Sequence, residues 1–104
     1  MTVLSIDTSV PTLRVGILKD KLLAISVLKP SVTHAEAILP AVEQALQESG
    51  ITIKNVELLA VAGGPGSFTG LRIGIATAKG LSLGLEIPIV LVPTLDIYGW
   101  AWKE

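Results

Sequence analysis

A nearly continuous apolar run, Val56-Glu57-Leu58-Leu59-Ala60-Val61-Ala62, stops at Gly63 and Gly64, and a second run of the same kind occupies 87–92. Runs of this texture suit parallel strands covered on both faces. Parallel strands need a crossover of a dozen or more residues, usually a helix. The interval supplies one over 70–85, so this half of the chain is a β-α-β unit and the fold class is α/β.

The upstream half is read by alternation and punctuation. Val3, Leu4 and Ile6 make a central strand over 2–7, and Asp7, Thr8, Ser9, Val10 and Pro11 end and turn it. Leu13, Val15 and Ile17 alternate with Thr12, Arg14 and Gly16, and after Lys19-Asp20-Lys21 a β-favouring run covers 22–28. Thr33 and Glu36 form a capping box ahead of a helix. Ile38, Leu39, Val42, Ala45 and Leu46 make its apolar face, Glu36, Glu43, Gln47 and Glu48 its wet one, and Gly50 its left-handed cap. Pro40 inside that helix costs about 3 kcal/mol and predicts a kink or a break. Thr94 begins a further helix, which runs towards Trp100 and Trp102. The expected architecture is a mixed five-stranded sheet, a three-strand meander followed by β-α-β crossings, in one domain spanning 1–104.

Composition removes several function classes. The 104 residues are 50% apolar, enough for one hydrophobic core. Arg72 and Lys79 interrupt the longest apolar stretch, so no membrane span is expected. The first seven residues have no basic lead-in and reach an acid at Asp7, unlike a secretory signal, and there is no cysteine for a disulfide scaffold. A cytoplasmic protein is expected. Eight basic against nine acidic residues give a net charge of −1, which disfavours direct binding of RNA or DNA.

The loop 63–70 leaves a strand and enters a helix, with Ser67 or Thr69 placed to cap the first turn. Its glycines and the helix N-terminus have the chemistry of a phosphate cradle. The spacing is neither G-x-G-x-x-G nor G-x-x-x-x-G-K-[ST], since Gly64, Gly66 and Gly70 are two and four apart and no lysine follows Gly70. Asp7, at the carboxyl end of a central strand, is the acid an α/β fold would use, but it stands alone. His34 is the sole histidine, which argues against zinc. Ser5, Ser9, Ser67 and Thr69 lie outside any G-x-S-x-G motif. No catalytic, cofactor-binding or metal-binding residue is assigned. A nucleotide hydrolase, an ATPase using Asp7 and the loop 63–70, is the alternative.

At about 100° per residue, Gly70, Gly74, Thr77, Ala78, Gly80 and Gly84 fall on one broad arc of the helix over 70–85, joined by Ile73, Leu81 and Leu85. Arg72 and Lys79 form its cationic stripe. An interior glycine costs up to about 1 kcal/mol relative to alanine, and close approach of another backbone is a reason to keep it. The glycines could let this helix lie tightly on its own sheet. One other full helix is little with which to cover the whole circumference, so a second chain is the expected cover. The interface residues expected are Gly70, Arg72, Ile73, Gly74, Thr77, Ala78 and Leu81.

Four segments, Ile6-Asp7-Thr8-Ser9, Thr33-His34, Gly64-Pro65-Gly66-Ser67-Phe68-Thr69-Gly70-Leu71-Arg72-Ile73-Gly74 and Pro93-Thr94-Leu95, resemble the TsaB (YeaZ) family in order and spacing. The resemblance covers all 104 residues, and its eleven-residue stretch is far more specific than a generic glycine loop. It implies an actin-like (ASKHA, ribonuclease H-like) fold of two related domains, this chain being the N-terminal one. It implies a non-catalytic role in forming threonylcarbamoyladenosine at position 37 of tRNA, in a complex with the catalytic relative TsaD and the ATPase TsaE. A homodimer without TsaD and tRNA contact only through the complex are implied as well, and the glycoprotease label of these relatives makes a metal-dependent, glycoprotease-like peptidase the alternative; no cofactor and no membrane partner are expected. The helical segments carried to the interface are 33–49 and 70–85.

Overall fold

The computed structural model describes residues 1–8, 13–28, 34–64 and 68–93. The elements are β1 (Thr2–Asp7), β2 (Leu13–Lys19), β3 (Lys21–Leu28), α1 (His34–Ser49), a 3-10 turn (Ile53–Asn55), β4 (Leu58–Ala62), α2 (Phe68–Leu85) and β5 (Ile89–Val92). They build one sheet in the order β3-β2-β1-β4-β5. β2 runs antiparallel to β1 and to β3, whereas β4 is parallel to β1 and β5 to β4. Both crossovers step the same way along the sheet, so right-handed connections put α1 and α2 on one face, where they touch.

Strand alternation decides which residues meet that helix layer. Leu4 and Ile6 of β1 stand in register with Ile17 and Val15 of β2 and with Leu59 and Val61 of β4. All six are completely buried, in one cluster with Ala37, Ile38, Ala41, Val42 and Ala45 of α1 and Ala78 of α2. Val3, Ser5 and Asp7 point to the opposite face, because successive side chains alternate.

Several expectations are corrected. α1 runs through Pro40 without a break; Pro40 lies on the exposed side, away from the sheet contacts that hold the helix. Leu39, expected on the apolar face, is 54% exposed, and Ala37 and Ala41 take the inner positions. Gly50 does adopt the left-handed cap, at φ 72°. The strand read from residue 56 begins at Leu58. Val56 instead closes the 3-10 turn through Ile53, and Glu57 exchanges bonds with Thr2: its N–H donates to the Thr2 carbonyl at 2.9 Å and its carboxylate accepts from the Thr2 N–H at 3.0 Å. β5 is not covered on both faces by the described residues, since Val90 and Leu91 remain 38% and 58% exposed at the sheet edge.

Thr69 lies inside α2, so it is not the residue that caps it. Ser67, the other capping candidate, falls outside the described residues, as do Ser9, Thr33 of the capping box and the helix expected from Thr94.

Candidate functional site

α2 starts where the carboxyl ends of β1 and β4 come together. Thr8, the first residue past β1, is completely buried, and its hydroxyl donates to the carbonyl of Gly70 in the first turn of α2. A Cβ placed on Gly74, one turn further on, would collide with Thr8 Oγ1 and reach Thr8 Cγ2 at 3.4 Å. Gly70, Gly74 and Ala78, four apart in sequence, therefore form the inner seam on which α2 rests against its own domain. All three are buried.

This divides the expected interface. Gly70, Gly74 and Ala78 face inward, and Leu81 packs against the core from a half-buried position. Ile73 and Thr77 are half-buried on the flank, and Arg72 is exposed. The outward face of α2 carries Arg72, Ala76, Lys79, Gly80, Leu83 and Gly84. Leu83 is 81% exposed, and a Cβ on Gly80 or Gly84 would meet no atom of the described residues within 4 Å. Helical periodicity groups Gly70, Gly74, Ala78, Gly80 and Gly84 on one arc, but it carries no sign for which edge of the arc meets the sheet. The residue that supplies the sign, Thr8, is a small polar residue just past a strand and gives no sequence signal of that kind.

Of the groups weighed for chemistry, Asp7 and Ser5 are the two whose side chains are described, and strand alternation puts both on the sheet face away from α2. Asp7 is 2% exposed, sits on the sheet face away from both helices, and stands opposite Arg14 in the β1/β2 register. The register makes them cross-strand neighbours of opposite charge. Ser5 directs its hydroxyl to the Gly16 carbonyl at 3.4 Å. Among the described residues no three His, Cys, Asp or Glu side chains gather as a metal site, and no helix is long and apolar enough to cross a membrane. Gly63 and Gly64 end β4, with Gly64 at φ 117° and the Gly63 N–H donating to the Val92 carbonyl at 2.9 Å.

A mixed sheet layered on one face by two crossover helices, with a small-residue seam beneath α2 and an outer face that sets Arg72 and Lys79 beside small and apolar residues, defines an α/β domain that presents a helix. Residues 29–101 match the family model described as TsaD, tRNA N6-adenosine threonylcarbamoyltransferase. The chain is 40% identical over 105 residues to the tRNA threonylcarbamoyladenosine biosynthesis protein TsaB of Escherichia coli, an alignment covering 100% of this chain and 46% of that protein. The structure of YeaZ from Pseudomonas aeruginosa superposes with a TM-score of 0.77 at 35% identity, over 88% of this chain and 42% of that one. RuvC from T. thermophilus, solved with a Holliday junction substrate, shares the fold alone, with a TM-score of 0.63 at 16% identity over 95% of this chain and 68% of that one. The chain belongs to the family of that model, in its TsaB (YeaZ) branch. It spans about half the length of the curated relatives it matches.

Proposed function

We propose that this chain is a non-catalytic docking subunit in threonylcarbamoyladenosine formation on tRNA, corresponding to the N-terminal actin-like, ribonuclease H-like domain of a two-domain cytoplasmic protein. Its partner is TsaD, with TsaE joining the assembly and tRNA reached only through the complex. Without TsaD it pairs with a second copy of itself. The observation that carries this reading is the outer face of α2, where Leu83 stands 81% exposed between two glycines that no described residue approaches. Gly80 lies inside α2, where a glycine costs up to about 1 kcal/mol, and nothing described within 4 Å of its missing Cβ offsets that. A partner backbone laid close along α2 would.

The contact set follows from exposure: Arg72, Ile73 and Thr77 from the sequence-based set, joined by Gly80, Leu83 and Gly84. Gly70, Gly74, Ala78 and Leu81 support that face from beneath. Charge favours self-pairing as well, because α1 exposes Glu43 and Glu48 while α2 exposes Arg72 and Lys79. The non-catalytic half of the reading is supported by Asp7, buried opposite Arg14 on the face away from α2.

Light scattering coupled to gel filtration, with and without purified TsaD, tests the docking. Wild type is expected to dimerise alone and to form a 1:1 complex with TsaD. Leu83→Asp is expected to do neither, with its melting temperature lowered by only a few degrees, since the exposed side chain gives up no core contact and Asp in the last turn of a helix costs about 0.5–1 kcal/mol. A Leu83→Asp protein that binds TsaD as wild type does would overturn the proposed face. Micromolar binding of zinc or ATP to this chain alone, read by calorimetric titration, would overturn the non-catalytic assignment in favour of the hydrolase alternative.

A further inference from the structure

α2 meets its sheet through residues with almost no side chains, so something other than interdigitated side chains must set where the helix sits. Gly70, Gly74 and Ala78 leave the inner seam smooth over the first turns. A smooth seam permits sliding and rotation, and a one-residue slip turns the helix by about 100°.

Thr8 interrupts that smoothness. In an α-helix the Gly74 N–H bonds to the Gly70 carbonyl, and the Thr8 hydroxyl donates to that same oxygen from outside the helix. The approach is open because Gly74 has no Cβ; the missing atom would clash with Thr8 Oγ1. The contact is completely buried, so water does not compete for the bond. Thr8 also follows directly on Asp7, whose backbone is held in the β1/β2 ladder opposite Arg14, so the hydroxyl is mounted on the centre of the sheet.

We infer that Thr8 is a positioning residue: its hydroxyl, seated in the notch between Gly70 and Gly74, fixes the rotation and height of α2 on the sheet. It thereby presets which residues the helix turns outward. The preset face is the one proposed above for docking, and that second part rests on the docking reading. The first part does not.

A methyl group that merely fills space would give the same burial, and two variants separate the readings. Thr8→Val keeps the shape and removes the hydroxyl, whereas Thr8→Ser keeps the hydroxyl and removes the methyl. Hydrogen exchange followed by mass spectrometry reads the backbone amides of 72–77 in α2, with those of 41–46 in α1 as the internal reference. Thr8→Val is expected to speed exchange in α2 relative to α1 on the order of tenfold, because it leaves a buried carbonyl without its second donor. Thr8→Ser is expected to stay near wild type. Equal α2-to-α1 ratios in wild type and Thr8→Val would overturn the inference, as would a Thr8→Ser protein as loose as Thr8→Val. If Thr8→Val does not fold, Thr8→Ser still decides, by whether α2 keeps its wild-type ratio.

Binding to purified TsaD reads the second part. Loss of affinity in Thr8→Val with recovery in Thr8→Ser supports presetting, and equal affinities overturn it. A wild-type chain that does not bind TsaD removes the docking reading, while the exchange ratios still decide the role of Thr8.

Discussion

The same substitution placed at two glycines of α2 should stabilise the domain at one and not at the other. Gly74→Ala drives a methyl into Thr8 Oγ1, and Thr8 cannot readily swing aside, since it is fully buried and hydrogen-bonded to Gly70. Overpacking of a closed site costs about 1–3 kcal/mol. The gain in helix propensity returns about 1 kcal/mol, leaving Gly74→Ala neutral to about 2 kcal/mol destabilised. At Gly80 an added Cβ meets no described atom within 4 Å, so Gly80→Ala keeps the propensity gain whole. The propensity contribution is common to both, and the difference isolates the Thr8 contact at about 2 kcal/mol. For a domain of this size each kcal/mol moves the melting temperature by about 4–8 °C, so the two melts should lie roughly 10 °C apart. Thermal unfolding followed by far-ultraviolet circular dichroism measures this, and a urea series with unchanged slope confirms that the native state is the one altered. Adding Thr8→Ala should restore much of what Gly74→Ala loses, as expected when two substituted residues touch. Coincident melts for Gly74→Ala and Gly80→Ala would refute the close approach of α2 to β1 on which the inner and outer faces were distinguished.

Two further outcomes follow from the same geometry. Glu86 closes α2 in the left-handed region at φ 57°, with the Ile87 N–H donating to the Ser82 carbonyl at 3.2 Å and the Ser82 hydroxyl donating to the Ile87 carbonyl. Glu86→Gly should raise stability by about 0.5–1 kcal/mol in thermal unfolding, because a side chain is strained there and glycine is the usual residue at that cap. Ala78→Leu, at a fully buried point of the inner seam, should destabilise by about 1–3 kcal/mol in urea titration, and a neutral result would mean that α2 does not press on the core at that turn.

Much of the fold could be read from the sequence because the physics involved is local. Alternation at Leu13, Val15 and Ile17 and the unbroken run at 58–62 declare strands, and the spacing of Ile38, Val42 and Ala45 declares a helix face. Gly50 declares its end. The errors lie where local rules are overruled from a distance. Pro40 reads as a break, yet the buried residues on either side of it, from Ala37 to Ala45, hold α1 together across it. Leu39 reads as core because leucine is apolar, yet Ala37 and Ala41 hold the inner positions and leave it in water. Residues 56 and 57 continue an apolar run, yet they spend their backbone on the 3-10 turn and on Thr2 rather than on the β4 ladder.

The proposed docking surface shows the limit most sharply. Periodicity places Gly74 and Gly80 on one small-residue arc, but six residues put them about 120° apart around the axis, too far for one flat contact to use both. A helix with glycines over so wide an arc must be approached closely from two directions. The structure identifies one of them: Thr8 fills the notch at Gly70 and Gly74, so these glycines answer to the fold of the domain itself. The glycines at 80 and 84 have no such occupant among the described residues, and the exposed Leu83 lies between them. Bulky substitutions at 74 therefore probe folding and say little about partners. Those at 80, 83 and 84 can weaken docking while leaving the monomer as stable as before, or more so, and that combination separates an interface from a core.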